Sequence, residues 1–148
     1  MTLLDNKKAR FDYEIMEKFE AGIRLQGFEV RSLKLKRGSL AGSHIIIRGG
    51  EAFIIGMEIG PYQPKNMMPD YDSMRTRKLL LNKKEIDYLE GKDKQKGLTL
   101  IPLYVYTKGG VIKVSFGVAR GLKKYDKREK IKARDMKRDV ERELKNRG

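Results

Sequence analysis

The chain of 148 residues contains no cysteine and no tryptophan, and it has a single histidine. The absence of cysteine excludes disulfides, thiolate metal ligands and a thiol nucleophile. It suits a reducing compartment, and we expect the protein in the cytoplasm. The lone histidine, His44, stands in an apolar run, so a metal site would have to be built from carboxylates. We therefore expect no metal site and no cofactor.

The sequence also lacks any apolar stretch long enough to cross a membrane, and its N-terminus lacks the apolar region of a signal peptide. Proline is scarce: three of the four prolines lie between residues 60 and 77. We expect a soluble protein with no membrane partner and with one long surface loop over residues 60–77.

Basic residues are abundant, in contrast. The chain has 34 lysines and arginines against 20 acidic residues, which gives a net charge of +14. The last 29 residues hold 13 basic and 6 acidic residues, and thus half of that excess. A charge of this size indicates the kind of partner rather than the fold, and nucleic acid is the leading candidate. An anionic membrane surface and a plain solvated surface are the alternatives.

The most regular pattern runs from Phe11 to Leu25, where every second residue is apolar or aromatic except Glu17. A period of two predicts a long strand with one buried face. Gly22 and the polar Glu17 mark the expected positions of a bend or bulge. Residues 1–10 are expected to form a short polar arm. A long bent strand typically begins a small barrel, because closing the sheet removes its unpaired edges.

Four more strands are predicted in two hairpins, each joined at two consecutive glycines. They cover residues 43–48, 51–59, 98–107 and 111–119. In the second of these strands one apolar face is predicted, formed by Phe53, Ile55, Met57 and Ile59. Pro102 lacks an amide donor and is expected near an edge or a bulge. The predicted fold is mainly β: a small antiparallel barrel of the oligonucleotide-binding type with two or three flanking helices.

One flanking helix is expected over residues 28–36 and a second over Arg75 to Gly91. In the second, Asn82 and Glu85 have the spacing of a capping box, and Leu89 is expected to face the core.

We expect residues 1–119 to form the barrel domain and residues 120–148 to form a basic tail. The tail has a sparse helical stripe of Ala133, Met136, Val140 and Leu144. Such a narrow stripe stabilises a helix poorly in water. We expect the tail to be disordered when free and helical on a polyanionic partner.

Six blocks of the sequence, in order, resemble the SmpB (SsrA-binding, or tmRNA-binding) protein family. They are residues 6–10 running into Tyr13, then 19–22, 27–33, 75–82, 118–121 and 126–129. Phe11 stands where members of that family often carry histidine. The resemblance implies an RNA-binding adaptor that binds the tRNA-like domain of tmRNA and delivers it to stalled ribosomes for trans-translation. It implies that the tail enters the empty mRNA channel near the decoding centre, with elongation factor Tu as a further partner through aminoacyl-tmRNA.

The resemblance also implies roles for individual residues. It places RNA binding at Tyr13, Glu20, Leu80 and Asn82, and the ribosomal step at Asp126, Lys127 and Arg128. Basic residues in the same blocks are expected to contact phosphate. The full RNA-binding set is Asn6, Lys7, Arg10, Tyr13, Glu20, Arg75, Arg77, Lys78, Leu80 and Asn82. The ribosome-engaging tail set is Lys123, Lys124, Asp126, Lys127, Arg128, Lys130 and Lys132.

Structural roles compete with several of these assignments. Tyr13 shares a face with apolar residues and could be a core tyrosine, Glu20 could fix a nearby arginine, and Asn82 could serve only as a helix cap. A ribosomal-type protein with a basic extension into rRNA is the alternative function. We expect no enzyme, because the sequence offers neither a thiol nor a convincing metal cluster for acid–base work on RNA.

Overall fold

Six strands of one antiparallel sheet close on themselves to form a barrel. The computed structural model describes residues 1–63, 70–122 and 124–147, without the side chains of residues 124–127, 129–130 and 143–147. The strands are β1 (Thr2–Asp5), β2 (Tyr13–Ile23), β3 (Gly38–Ser39), β4 (His44–Arg48), β5 (Glu51–Ile55), β6 (Glu58–Ile59), β7 (Arg77–Leu80), β8 (Leu98–Lys108) and β9 (Val111–Gly121). The barrel order is β8-β4-β5-β7-β2-β9, and β9 pairs again with β8.

Four helices accompany these strands in the described residues. They are α1 (Lys7–Asp12), α2 (Gly27–Lys34), α3 (Lys83–Lys94) and α4 (Lys124–Arg147). Three of them flank the barrel and the fourth lies in the basic tail, so the predicted mainly β barrel with flanking helices is confirmed. None of the helices within the described residues combines the length and apolarity needed to cross a membrane.

The long strand β2 has a bulge that divides its apolar residues between two clusters. Pairing with β9 shifts register between Ile15 and Glu17, so Met16 is the extra residue. Before the bulge, Tyr13 and Ile15 pack on a small cluster outside the barrel; after it, Phe19 and the residues that follow pack on the barrel interior. The single buried face predicted for this strand is therefore wrong. A bulge adds one residue to one strand, and this exchanges the faces beyond it.

The residues before β2 are folded and do not form the polar arm that was predicted. β1 pairs with β8 and buries Leu3 and Leu4, which are 4% and 7% exposed. Phe11 lies in α1, and β2 begins only at Tyr13. The Oδ1 of Asn6 accepts a hydrogen bond from the amide of Ala9 at 3.4 Å, which caps the helix.

The hairpin of β4 and β5 forms as predicted at Gly49 and Gly50, but the strand expected over 51–59 is interrupted. Gly56 has φ +80°, a conformation that β-branched residues rarely adopt. This break exchanges the faces, so that Ala52 and Ile54 point into the core while Phe53 is half-buried on the outside.

The helix predicted over residues 75–91 is in fact a strand followed by a helix. Residues 77–80 form β7, and α3 starts after Asn82, whose capping box with Glu85 is present as predicted. Gly91 lies inside α3 and does not end it. Leu89 is fully buried, as α3 closes one end of the barrel against β4 and β8.

Candidate nucleic-acid interface

Glu20 lies on the outer face of β2, where two side chains of β8 hold its carboxylate. Tyr106 donates a hydrogen bond from its hydroxyl to one carboxylate oxygen, and the Nζ of Lys108 lies 3.5 Å from the other. The Tyr106 hydroxyl is the main cause that lowers the pKa of Glu20; burial opposes it and the neighbouring lysines add to it. Burial and the Glu20 carboxylate in turn raise the pKa of Tyr106 to about 12. Glu20 is thus an ionised, oriented acceptor on an exposed surface.

Leu80 and Asn82 lie beside the strand that carries Glu20. β7 pairs with β2 so that Leu80 is opposite Gly22, and a Cβ added at Gly22 would lie 3.5 Å from the Leu80 Cβ. Leu80 is 49% exposed, so it offers an apolar contact at the surface. The side-chain oxygen of Asn82 accepts from the amide of Glu85 at 2.9 Å. Its side-chain nitrogen donates to no group in the described part of the chain, which leaves a donor beside Leu80.

A second group of predicted residues surrounds α1. Asn6 is buried, and its side-chain nitrogen donates to the carbonyl of Pro102 at 2.9 Å, so its amide is engaged within the fold. Lys7 is exposed. Arg10 pairs with Asp5 at 2.6 Å and lies over the Tyr104 ring at 4.9 Å. These contacts make α1 a basic surface with a fixed orientation.

Tyr13 is half-buried and packs on the outer cluster of Ala9, Ile101, Leu103 and Ala119. This location agrees with the packing role that competes with base stacking for this tyrosine. Tyr13 and Gly22 stand nine residues apart on β2, which corresponds to about 30 Å. The predicted RNA-binding residues therefore form two groups, one near each end of the strand.

Arg77 cannot take the phosphate-contacting role that the sequence predicts. Its side chain is 0% exposed, and its guanidinium donates to the Glu29 carboxylate at 2.8 Å and to the carbonyl of Met57 at 2.7 Å. It also donates to the carbonyl of Ser73 and to the Tyr71 hydroxyl. A buried charge requires such partners, and no donor of Arg77 remains for an external phosphate.

Arg75 and Lys78 are placed differently from Arg77. Arg75 pairs with Glu29 but keeps 30% of its side chain exposed. Lys78 lies on the outer face of β7 and pairs with Glu51 at 2.9 Å. Both can approach an external anion.

Glu29 and Tyr71 are residues that sequence reasoning missed. Glu29 is 0% exposed and accepts from Arg75, Arg77, Tyr71 and the backbone amide of Gln26. Burial raises the pKa of Glu29, but the hydrogen bonds from Arg75, the Gln26 amide and Arg77 together outweigh it, and the pKa is lowered overall. The only signal in the sequence was Glu29 three residues after Gln26, a helix-start spacing that says nothing of the distant arginines.

The tail helix α4 contacts the body through α1. A cleft between them is lined by Lys7, Arg10, Phe11, Ile131 and Arg134. The described side chains of residues 132–142 are exposed, among them Met136 at 62% and Val140 at 55%. Arg128 and Lys132 are exposed. Lys123 lies outside the described residues, as do the side chains of Lys124, Asp126, Lys127 and Lys130.

Comparisons with known proteins identify the family of this chain. The family model described as SmpB protein matches residues 3–146. A protein named SsrA-binding protein from Listeria welshimeri is 51% identical over 142 residues, which cover 96% of this chain and 92% of the relative. The protein of the same name from Polaromonas is 48% identical over 147 residues, or 99% of each chain.

A solved structure shows the same fold with high sequence similarity. It is described as "tmRNA-SmpB: a journey to the center of the bacterial ribosome", and one of its chains superposes with a TM-score of 0.70 at 45% identity. The match covers 84% of this chain and 87% of that chain. The family model, the named relatives and the shared fold agree over nearly the whole length: this chain belongs to the SmpB protein family.

Proposed function

We propose that this protein is an RNA-binding adaptor that binds the tRNA-like domain of tmRNA and delivers it to stalled ribosomes for trans-translation. One observation carries the proposal. Pairing of β2 with β7 brings Glu20 close to Leu80 and Asn82, which lie far from it in the sequence, on one exposed face of a barrel that belongs to the SmpB family. The three side chains offer an oriented acceptor, an apolar contact and an amide donor.

Such a face suits RNA better than double-stranded DNA. The Glu20 carboxylate can accept from base amines or from ribose hydroxyls, and the 2′-hydroxyl occurs only in RNA. An acidic group would be repelled by a phosphate backbone, so its place within a protein of net charge +14 indicates contact with sugars or base edges. The surrounding lysines supply the attraction to phosphate.

The tail supplies the ribosomal step in this proposal. α4 carries exposed apolar residues, Met136 and Val140, and meets α1 at the cleft that Ile131 and Arg134 line. A helix gains most of its stability from packing, and this one has little of it. Residues 120 and 121 end β9 and belong to the barrel. We propose that the rest of the tail, residues 122–148, is disordered in the free protein and becomes helical in the mRNA channel near the decoding centre.

The same proposal covers the remaining expectations. The protein acts by binding and positioning RNA, not as an enzyme. A ribosomal partner places it in the cytoplasm, and elongation factor Tu joins through the aminoacylated RNA.

Purification of the full chain from its host, followed by sequencing of the bound RNA, tests the proposal. We expect tmRNA as the dominant species, without stoichiometric ribosomal proteins. A ribosomal-type protein with an extension into rRNA would instead co-purify with ribosomal subunits and carry rRNA. Recovery of rRNA in place of tmRNA would therefore refute the adaptor role.

Replacing Tyr106 by Phe is expected to weaken binding of a transcript of the tRNA-like domain by about three- to tenfold. The change removes the hydroxyl that orients Glu20, so the pKa of Glu20 rises towards its ordinary value. Affinity should then begin to fall at a higher pH on acidification than in the unmodified protein. Titration of binding against pH measures both effects.

Tyr88→Phe is the matched control for Tyr106→Phe. The Tyr88 hydroxyl also donates to an exposed carboxylate, that of Glu17, but it does so between α3 and β2. The Tyr88→Phe substitution should leave RNA affinity and the pH dependence of that affinity unchanged. Equal effects of the two substitutions would contradict a specific role for Tyr106.

A peptide of residues 120–148 is expected to show little helix by circular dichroism in buffer. The peptide lacks the contact of Ile131 with α1, and its apolar stripe has nothing to pack on. Helix content should rise on addition of RNA, because RNA screens the repulsion among the basic residues. A stable helix in buffer alone would show that the tail does not need a partner to fold.

A further inference from the structure

A groove on the outer face of the barrel lies next to the proposed RNA surface. It encloses about 460 Å³ and is lined by Arg24, Glu51, Phe53, Arg75, Thr76 and Lys78. A single aromatic ring with basic side chains around it is the composition used to bind unpaired nucleotides.

The strand register explains why these side chains meet. Phe53 on β5 pairs directly with Lys78 on β7. The chain leaving β2 runs beside the same strand, where the amide of Arg24 donates to the carbonyl of Lys78 at 2.9 Å. The neighbours of Phe53 in β5, Ala52 and Ile54, are both 0% exposed, so alternation directs the Phe53 ring outwards.

The charge of the groove favours an anion. Three cations and one carboxylate line it, which leaves a net charge of +2. The carboxylate, Glu51, is already paired with Lys78, and Arg75 is held by Glu29. Arg24 is exposed and makes no ion pair within the described ranges of the chain. A phosphate at Arg24 and Lys78 would complete the local charge balance.

The groove is continuous with the surface that carries Glu20. Lys78 and Leu80 both lie on the outer face of β7. Leu80 is opposite Gly22, and Arg24 follows Gly22 by two residues. An RNA bound at Glu20 and Leu80 therefore has a direct path to Phe53. This continuity favours RNA as the occupant over a protein or a membrane.

We propose that this groove is a nucleotide subsite, in which an unpaired RNA base stacks on Phe53 and its phosphate is held by Arg24 and Lys78. The subsite rests on the proposed function and extends the RNA interface around the barrel from Glu20. Because every base presents a π-face, the subsite selects unpaired nucleotides rather than a sequence.

Three variants at Phe53 test the subsite in the full-length protein. Phe53→Ala should weaken binding of a tRNA-like-domain transcript of tmRNA by about 5- to 100-fold. Phe53→Leu keeps an apolar side chain of similar bulk and should lose most of the same affinity, while Phe53→Trp should retain it. Ile55→Ala is the matched control, since Ile55 is half-buried on the same face of β5 but does not line the groove.

Arg24→Ala should lower the slope of log affinity against log salt by about 0.7 to 0.9, as expected for the loss of one phosphate contact. The same measurements with a short single-stranded RNA of mixed sequence separate the subsite from the whole interface. Thermal unfolding confirms that each variant is folded before its affinity is compared.

The outcomes distinguish the subsite from the proposed function. Weak binding by Phe53→Ala and Phe53→Leu, with Ile55→Ala unaffected, supports the subsite. If all variants bind the transcript as tightly as the unmodified protein, the subsite is refuted while tmRNA binding stands. If the unmodified protein does not bind the transcript, the proposed function fails. Phe53-dependent binding of the short RNA would then still support the subsite, and its absence would refute it.

Discussion

Replacing Glu29 by Gln is expected to lower the free energy of unfolding by about 3–5 kcal/mol, the usual cost of removing one partner of a buried ion pair. The substitution keeps the shape of the side chain but removes the charge that faces Arg77. Both side chains are 0% exposed, so the guanidinium would be left with no counter-charge and no access to water. Denaturant unfolding followed by circular dichroism measures the loss.

The control is Glu90→Gln, which breaks the exposed i,i+4 pair with Lys94 at 3.3 Å. An exposed pair contributes about 0–1 kcal/mol, so this variant should unfold almost as the unmodified protein does. The paired replacement Glu29→Leu with Arg77→Met should recover part of the stability, because it leaves no buried charge. Recovery should be incomplete, since the carbonyls of Met57 and Ser73 lose their donor. A loss for Glu29→Gln no larger than for the control would refute the structural importance of this pair.

The same carboxylate predicts a pH dependence of stability. The pKa of Glu29 is lowered in the folded state from the ordinary value of 4.5. Its contribution is therefore fully present above about pH 4.5 and is lost as the pH falls through the lower folded-state pKa. The unmodified protein should lose stability in acid more steeply than Glu29→Gln. An equal loss of stability on acidification in the two proteins would contradict the attribution of this pH dependence to Glu29.

Changing Asp126, Lys127 and Arg128 together to Ala is expected to abolish peptide tagging on stalled ribosomes while leaving affinity for free tmRNA nearly intact. The family resemblance implies that these residues serve the ribosomal step. The proposed RNA surface around Glu20 lies towards the end of β2 that is far from α1, the helix that α4 contacts. Alanine favours helix, so the change does not act by breaking α4. Tagging in a reconstituted translation system and binding to free tmRNA are the two measurements.

A second triple variant of the same helix controls for charge. Changing Lys137, Arg138 and Asp139 to Ala also removes two basic residues and one acidic residue, all three of them exposed. It should keep most of the tagging activity. Loss of free-tmRNA affinity in the first variant would show that body and tail do not have separate roles, and equal loss of tagging in both would show that only net charge matters.

Local sequence patterns predicted the elements whose causes are local. The glycine pairs formed the two hairpins, and the capping box of Asn82 and Glu85 started α3, because each depends on a few neighbouring residues. The period of two found β2 in the correct region. The polar Glu17 correctly marked the neighbourhood of a bulge. The sequence could not show that Met16 is the extra residue or that the apolar face changes there, because a bulge is defined by the pairing with β9, about 100 residues away.

Arg77 shows most clearly where sequence reasoning failed. A basic residue in a basic block is expected to be a surface cation. Arg77 is instead the largest fully buried side chain in the described residues. Its burial depends on Glu29, 48 residues earlier, and on carbonyls contributed by other segments. No local pattern carries that information, since the desolvation of a charge is compensated only by groups that folding brings together.

Composition and order of residues by themselves determined the class of this protein: a basic, mainly β chain whose family blocks and excess of cations indicate RNA. Those properties are sums or short-range patterns, and folding does not alter them. Only the tertiary structure decided which of the cations face outwards, that the predicted RNA-binding residues form two groups, and that Phe53 and Arg24 line one groove. Each of these depends on strand register and on a bulge, and one residue of register exchanges every side chain between core and surface.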